Sequence, residues 1–191
     1  DVNGDGFADV LIGAPLFDNG QTDEGRAWVY QGSAAGLVAT AAWSVESDQA
    51  AAELGRSGAA AGDVNGDGFS DVIIGIPKYD GTLIDEGRAA LYLGAGDGLA
   101  ATAGWTAKGN QPGAYFGYSV AAAGDVNGDG YGDVLVGAYL YDNGQTDEGR
   151  AYLYLGSAAG LAVAPAWTSE SDQAGAHYSV GLASAGDVNG D

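Results

Sequence analysis

Cysteine and methionine are absent from the 191 residues, and lysine and arginine together number only 6. Without cysteine no disulfide contributes, and the redox state of the compartment leaves no mark on the chain. The few basic side chains stand against 26 acidic ones, and the net charge of −20 excludes a basic nucleic-acid surface and repels an anionic membrane. No apolar run approaches the ~18 residues of a membrane span, and no signal peptide is present. The chain opens inside a motif at Asp1, as an excised segment would, so a targeting signal is not expected within it. Long aliphatic side chains are also scarce. With 35 glycines, 11 tyrosines, 4 tryptophans and 4 phenylalanines, the composition suits thin sheets stacked face to face rather than a thick helical core.

The chain does contain a strict repeat. DVNGDGFADVLIGA starts at Asp1, DVNGDGFSDVIIGI at Asp63 and DVNGDGYGDVLVGA at Asp125, and DVNGD begins again at Asp187, each start 62 residues after the last. A fixed period of this size marks a repeat architecture. Residues 1–62, 63–124 and 125–186 are therefore three units, the first of them starting at its loop, and residues 187–191 begin a fourth loop.

Each unit opens with DxNxDGxxD, a spaced set of oxygen donors. The side chains are Asp1, Asn3, Asp5 and Asp9; then Asp63, Asn65, Asp67 and Asp71; then Asp125, Asn127, Asp129 and Asp133; and Asp187, Asn189 and Asp191 in the partial copy. Alternate residues of a tightly turning loop can point at one centre, and hard oxygen donors in this number suit Ca²⁺. Phe7, Phe69 and Tyr131 stand where a backbone carbonyl would be offered, after a glycine that permits the turn. The loop has no His or Cys, which makes zinc and copper poor candidates. It is not an EF-hand, because Ile12, Ile74 and Val136 stand where that loop needs a bidentate glutamate. Asp, Asn and Gly also make turns without metal, but a turn needs fewer of them than are held here in three full copies. About one Ca²⁺ per repeat is expected. Without it, crowded carboxylates would repel by up to about 4 kcal/mol per pair at an effective dielectric of ~20, so the loops should be loose. Loops of this type saturate at roughly 10⁻⁴ to 10⁻³ M in extracellular modules, which points to an exported or cell-surface protein.

After each loop the chain alternates short apolar runs with turn residues. Val10–Gly13 and the run at 27–32 (AWVYQG) are expected strands. Between them lies FDNGQTDEGR, and DNGQTDEGRA recurs unchanged at 142–151. The Asp-Glu-Gly-Arg element resembles a catalytic carboxylate pair with an arginine, but no nucleophile or histidine follows it at the same period. A hairpin with a structural ion pair is the simpler reading. Trp43, Trp105 and Trp167 hold the 62-residue period and are expected to pack between neighbouring repeats. A last strand of small residues is expected at Gly58–Gly62, Gly117–Gly124 and Ser179–Gly186, where backbones approach closely. Four strands per repeat with turns between them describe an all-β propeller of antiparallel blades.

These residues resemble the FG-GAP repeats of integrin α-subunit propellers. Phe116-Gly117 resembles the FG, Gly13-Ala14-Pro15 the GAP, and Asp125–Asp133 the calcium loop between them. The resemblance implies four-stranded blades in which the loop joins the innermost strand to the second. It departs at Leu54-Gly55 and Tyr178-Ser179 for the FG, and at Gly75-Ile76-Pro77 and Gly137-Ala138-Tyr139 for the GAP. Family propellers carry seven repeats in a disulfide-containing extracellular head, whereas this chain has three and no cysteine.

On that mapping the first blade lacks its innermost strand, and residues 178–186 supply one for a following blade. Three blades cannot surround an axis, since propellers close with four to eight. Head-to-tail assembly is expected, most simply two chains forming a six-bladed ring as a homodimer. DVNGD of either terminus could then fill the junction loop. The function expected is a calcium-binding scaffold or adhesion module with a protein or glycan ligand. The alternatives are a calcium-dependent lectin using the three periodic tryptophans, or the propeller of a hydrolase. The only histidine, His177, aligns with Glu53 and Tyr115 and is read as a packing or surface residue, so no catalytic residue is assigned.

Overall fold

A computed structural model describes residues 1–188; Asn189 and Asp191 lie outside the described residues. Among the described residues there is no helix, and eleven strands form three antiparallel meanders. The first blade holds β1 (Val10–Ala14), β2 (Arg26–Tyr30) and β3 (Trp43–Glu46). In the second are β4 (Ser57–Gly62), β5 (Asp71–Ile76), β6 (Arg88–Tyr92) and β7 (Trp105–Lys108). The third comprises β8 (Phe116–Gly124), β9 (Asp133–Ala138), β10 (Arg150–Tyr154) and β11 (Trp167–Glu170). Sheet order follows chain order in every blade, as short connections between sequential strands require. The last strand of each blade, β3, β7 or β11, starts on the periodic tryptophan.

The first blade has three strands because its second strand, β1, pairs only with β2. In the other blades that strand is sandwiched, β5 between β4 and β6 and β9 between β8 and β10. The strand expected over residues 178–186 does not form. A strand needs a ladder partner, and the described residues hold no further blade to supply one. The segment is nevertheless seated beside β8. Ser119 Oγ donates to Ser179 O, repeating one blade later the 3.0 Å bond from Ser57 Oγ to Gly117 O. Ser184 Oγ then donates to Ala123 O at 3.1 Å.

Two apolar cores lie between consecutive blades. Val29, Leu54, Val72 and Ile74 centre the one between the first and second, and Ile73, Phe116, Val134 and Val136 the one between the second and third. Each β5 residue is buried, because its two faces meet different neighbours. Close approach decides the glycine of the GAP position: a Cβ on Gly75 would stand 1.8 Å from Gly117 O of the next blade. Only hydrogen fits there.

The tryptophans staple the blades. Trp43 meets Tyr92 edge-on at 4.9 Å and donates its indole N–H to Ala100 O at 3.0 Å. Trp105 does the same one blade later with Tyr154 at 4.9 Å and Ala162 O at 3.0 Å. Trp167, in the same place on β11, is 49% exposed. Trp105→Ala should therefore cost the single chain about 2–4 kcal/mol, and Trp167→Ala should change its stability by no more than ~0.5 kcal/mol. Urea unfolding of the two variants at high dilution measures the difference.

Candidate metal centres

Each DxNxDGxxD loop is drawn into a turn by its own side chains. In the second loop Asp63 Oδ1 accepts from Gly66 N at 2.7 Å and Asp67 N at 3.1 Å, while Asp63 Oδ2 accepts from Gly68 N at 2.8 Å. Asp67 Oδ1 accepts from Phe69 N at 3.0 Å, and Asn65 Nδ2 donates to Asp67 Oδ2 at 2.8 Å. The first loop repeats this with Asp1 accepting from Asp5 N and Gly6 N, and Asn3 donating to Asp5. In the third, Asp125 accepts from Gly128 N, Asp129 N and Gly130 N, and Asn127 donates to Asp129. Side chains at positions 1, 3 and 5 are thus brought together by local hydrogen bonding.

Position 9 is held differently. Asp71 is fully buried. Its Oδ2 accepts from Val64 N and its Oδ1 from Gly94 N, both at 2.9 Å, which ties the loop to the far end of β6. Asp9 holds Val2 N at 2.7 Å and Gly32 N at 2.9 Å, and Asp133 holds Val126 N at 2.7 Å and Gly156 N at 2.8 Å. Burial pushes the Asp71 carboxyl above the usual carboxylate range, the two backbone donors offset part of this, and the charges of Asp67 and Asp63 push it further up. A cation among these oxygens would relieve that repulsion, and the donor set, all hard oxygen, fits calcium. Among the described residues, no loop brings carboxylate oxygens from three of its own residues within 4.8 Å of one another. The loop carboxylates are engaged with backbone N–H groups instead.

The ring at position 7 has a role that the sequence did not reveal. Phe69 lies over Gly4 of the preceding loop so closely that a Cβ there would stand 2.8 Å from it, and Tyr131 lies over Gly66 likewise at 2.7 Å. Backbone bonds reinforce the seam. Ser70 N donates to Asp1 O at 3.1 Å and Ala95 N to Val2 O at 3.1 Å; Gly132 N donates to Asp63 O at 2.8 Å and Ser157 N to Val64 O at 3.0 Å. The first and second loops are therefore each bonded to the blade that follows. Among the described residues the third has no such neighbour: Val126 is 56% exposed where Val64 is fully buried. Asp187 lines an open cleft beside that loop with Gly124, Asp125, Asn127 and Ser184.

The Asp-Glu-Gly-Arg element lies in the hairpins between β1 and β2, β5 and β6, and β9 and β10, and in the first and third blades it carries a structural ion pair. The arginine pairs across the sheet in those two blades, Arg26 with Glu46 at 2.9 Å and Arg150 with Glu170, whereas Arg88 stands opposite Lys108 and lies over the Tyr79 ring. Glu24, Glu86 and Glu148 of the same element are fully buried. Burial of a charged residue just before a strand carries no periodicity signal, so the sequence could not expose it. His177 stands with its ring edge toward Tyr139 at 5.6 Å, and its backbone N–H donates to Asp147 O at 3.1 Å.

Comparison with known proteins places these repeats. The model of the FG-GAP repeat family matches residues 1–30, 54–92 and 116–154. Integrin alpha-4 of Xenopus laevis is 36% identical over 147 residues, covering 75% of this chain and 14% of that protein. Integrin alpha-5 of Xenopus laevis is 32% identical over 175 residues, covering 86% of this chain and 16% of that protein. Integrin alpha-PS2 of Drosophila melanogaster is 38% identical over 160 residues, covering 74% of this chain and 11% of that protein. The chain thus spans less than a fifth of the length of the curated relatives it matches.

Proposed function

The chain belongs to the FG-GAP repeat family, and from that premise we propose that it is a calcium-stabilised, integrin-like binding module whose ring is completed by a second copy. The observation that carries this reading is the bonding of the first two loops to the blades that follow them, through Phe69 over Gly4 and Tyr131 over Gly66. Calcium, when bound, supplies positive charge that neutralises the loop carboxylates. Asp1, Asn3, Asp5 and Asp9, with their counterparts in the second and third repeats, would hold it together with the carbonyls of Phe7, Phe69 and Tyr131. Asp71 would fix its loop to β6 while Tyr131, over Gly66, fixes the next blade to that loop. Metal occupancy would thereby set the angle and rigidity between blades.

The proposed domain plan is three repeats, residues 1–62, 63–124 and 125–186. Residues 178–186 would become the innermost strand of the partner's first blade. Support comes from the seat of Ser179 and Ser184 beside β8, and from the face of β1. Val10 and Ile12 are 36% and 49% exposed, whereas their counterparts Val72 and Ile74 are 3% and 0%. Phe7, 40% exposed, would lie over the partner's Gly128, beside which an added Cβ would meet nothing within 4 Å. Two such chains would make six blades, within the four to eight that close a ring. At the junction Asp187, Asn189 and Asp191, or Asp1, Asn3 and Asp5, would fill the loop. The closed ring would present one face to a protein or glycan partner, as an adhesion module on a cell surface or outside it. The reading assigns no catalytic step to any residue.

Calcium titration followed by thermal unfolding tests the metal half of this reading. With sites saturating at roughly 10⁻⁴ to 10⁻³ M, 10 mM calcium should stabilise by ~1.4–2.7 kcal/mol per loop and raise Tm by roughly 10 °C or more, since 1 kcal/mol moves Tm about 2–4 °C in a chain of this size. An unchanged Tm between calcium and chelator would overturn it.

A further inference from the structure

We propose that the first and third blades each hold a second cation, on Glu24, Glu46 and Asp48 and on Glu148, Glu170 and Asp172, and that in the middle blade the ammonium group of Lys108 takes its place. In both outer clusters the three carboxylates offer oxygens within 4.8 Å of one another. None of these residues belongs to a DxNxDGxxD loop.

The buried member of each cluster calls for a ligand. Glu24 and Glu148 are fully buried, each with Oε1 accepting one backbone N–H, from Asn19 at 2.6 Å and Asn143 at 2.5 Å. Oε2 of each is buried with no hydrogen-bond partner, and so are Gln21 Oε1 and Gln145 Oε1 three residues earlier in the chain. Buried carboxylate oxygens are normally satisfied, and an ion is one of the few agents that can serve several at once. The arginine of each cluster is turned to the half-buried glutamate rather than the fully buried one, although Arg26 Nε itself has no hydrogen-bond partner. Arg26 Nη1 stands on Glu46 Oε1 at 2.9 Å and Arg150 on Glu170. Asn19 Nδ2 and Asn143 Nδ2 donate to the other oxygens of those glutamates, both at 2.8 Å. Three carboxylates against one guanidinium leave each cluster two negative charges, which a divalent ion would cancel. With oxygen as the only donor element, the ion is a hard one of the calcium class.

The middle blade is the internal control. At the 62-residue offset Glu46 and Glu170 correspond to Lys108, Asp48 and Asp172 to Asn110, and Gln21 and Gln145 to Leu83. The oxygen donors are lost together, and one ammonium arrives. Lys108 Nζ lies 3.1 Å from Glu86 Oε1 and 3.0 Å from Thr82 Oγ1. Glu86 Oε2 also lacks a hydrogen bond, but its carboxylate has a permanent positive charge beside it. One blade carries a built-in cation where its neighbours have the means to bind one.

The test counts calcium ions on the full chain by equilibrium dialysis, with calcium alone as probe. Wild type is expected to bind two ions per chain beyond those of its loops. Substituting the middle blade's own residues into the outer ones, Glu46→Lys with Asp48→Asn and Glu170→Lys with Asp172→Asn, should remove two ions per chain and leave the loop ions in place. The reverse change, Lys108→Glu with Asn110→Asp and Leu83→Gln, should add one. An unchanged count in the four-residue variant overturns the proposal. If that variant does not fold, the reverse variant decides, an added ion supporting the sites and no added ion removing them. The loops are judged separately, by Asp5→Asn, Asp67→Asn and Asp129→Asn together: ions that persist in that variant and vanish in the four-residue one belong to the clusters.

Discussion

Ile12→Asp will give a folded chain that no longer assembles, whereas Ile74→Asp, the same change 62 residues on, will not fold. Ile74 is fully buried between the first and second blades. An aspartate there would be an unpaired charge in an apolar interior, at a cost of several kcal/mol against a total stability of about 5–15 kcal/mol. Ile12 holds the corresponding place on β1 and is 49% exposed. Its carboxylate would stay in water in the single chain and be buried only when another blade covers that face. Circular dichroism and sedimentation velocity in millimolar calcium separate the effects. The expected result is a native spectrum with single-chain mass for Ile12→Asp, and no native spectrum for Ile74→Asp. Wild-type assembly by Ile12→Asp would remove the β1 face from the interface.

Asp71→Ala should be damaging in calcium and in chelator alike, by about 3–5 kcal/mol, while Asp67→Ala should matter only in calcium. The difference follows from what each carboxylate does besides its proposed metal contact. Asp71 is buried and satisfies Val64 N and Gly94 N, two donors that an alanine would leave orphaned at about 1–3 kcal/mol each. Asp67 is exposed, and its acceptor for Phe69 N can be replaced by water. Without metal its loss should cost no more than ~0.5–1 kcal/mol. With metal, both variants lose a ligand. Urea unfolding of each variant at fixed calcium and again in chelator gives the four values needed. Equal losses for the two variants in chelator would mean that Asp71 does not anchor the loop to β6.

Much of this was legible in the sequence because the chain repeats it. The 62-residue spacing of DVNGDG set the number of units, and the β-branched run after each loop located β1, β5 and β9. The seam tryptophans declared themselves by keeping the same period, and the structure puts Trp43 and Trp105 against the next blade. The missing innermost strand of the first blade followed from strand order. Other features were hidden for physical reasons. Residues 178–186 have the composition of a strand, but composition does not supply a ladder partner, and the segment forms none here. The ring of Phe69 packs on a glycine 65 residues earlier, a contact between blades that no local pattern encodes. The burial of Glu24, Glu86 and Glu148 has no signature in the sequence, since acidic residues in a turn are usually exposed and only tertiary packing buries these. The loop carboxylates were expected at one centre, and the structure shows that they also accept from backbone N–H groups of their own loop, a second role that the donor spacing does not encode.

The central claim is that calcium in the loops holds the blades of a closed two-chain ring. Native mass spectrometry in millimolar calcium addresses it in one spectrum, because mass gives both the chain count and the bound metal. The expected species is two chains with about six loop ions, three loops in each chain, together with any held at the Glu24 and Glu148 clusters, and it should fall to one chain on chelation. A species of one chain in saturating calcium, or two chains whose mass is indifferent to chelator, would contradict the account.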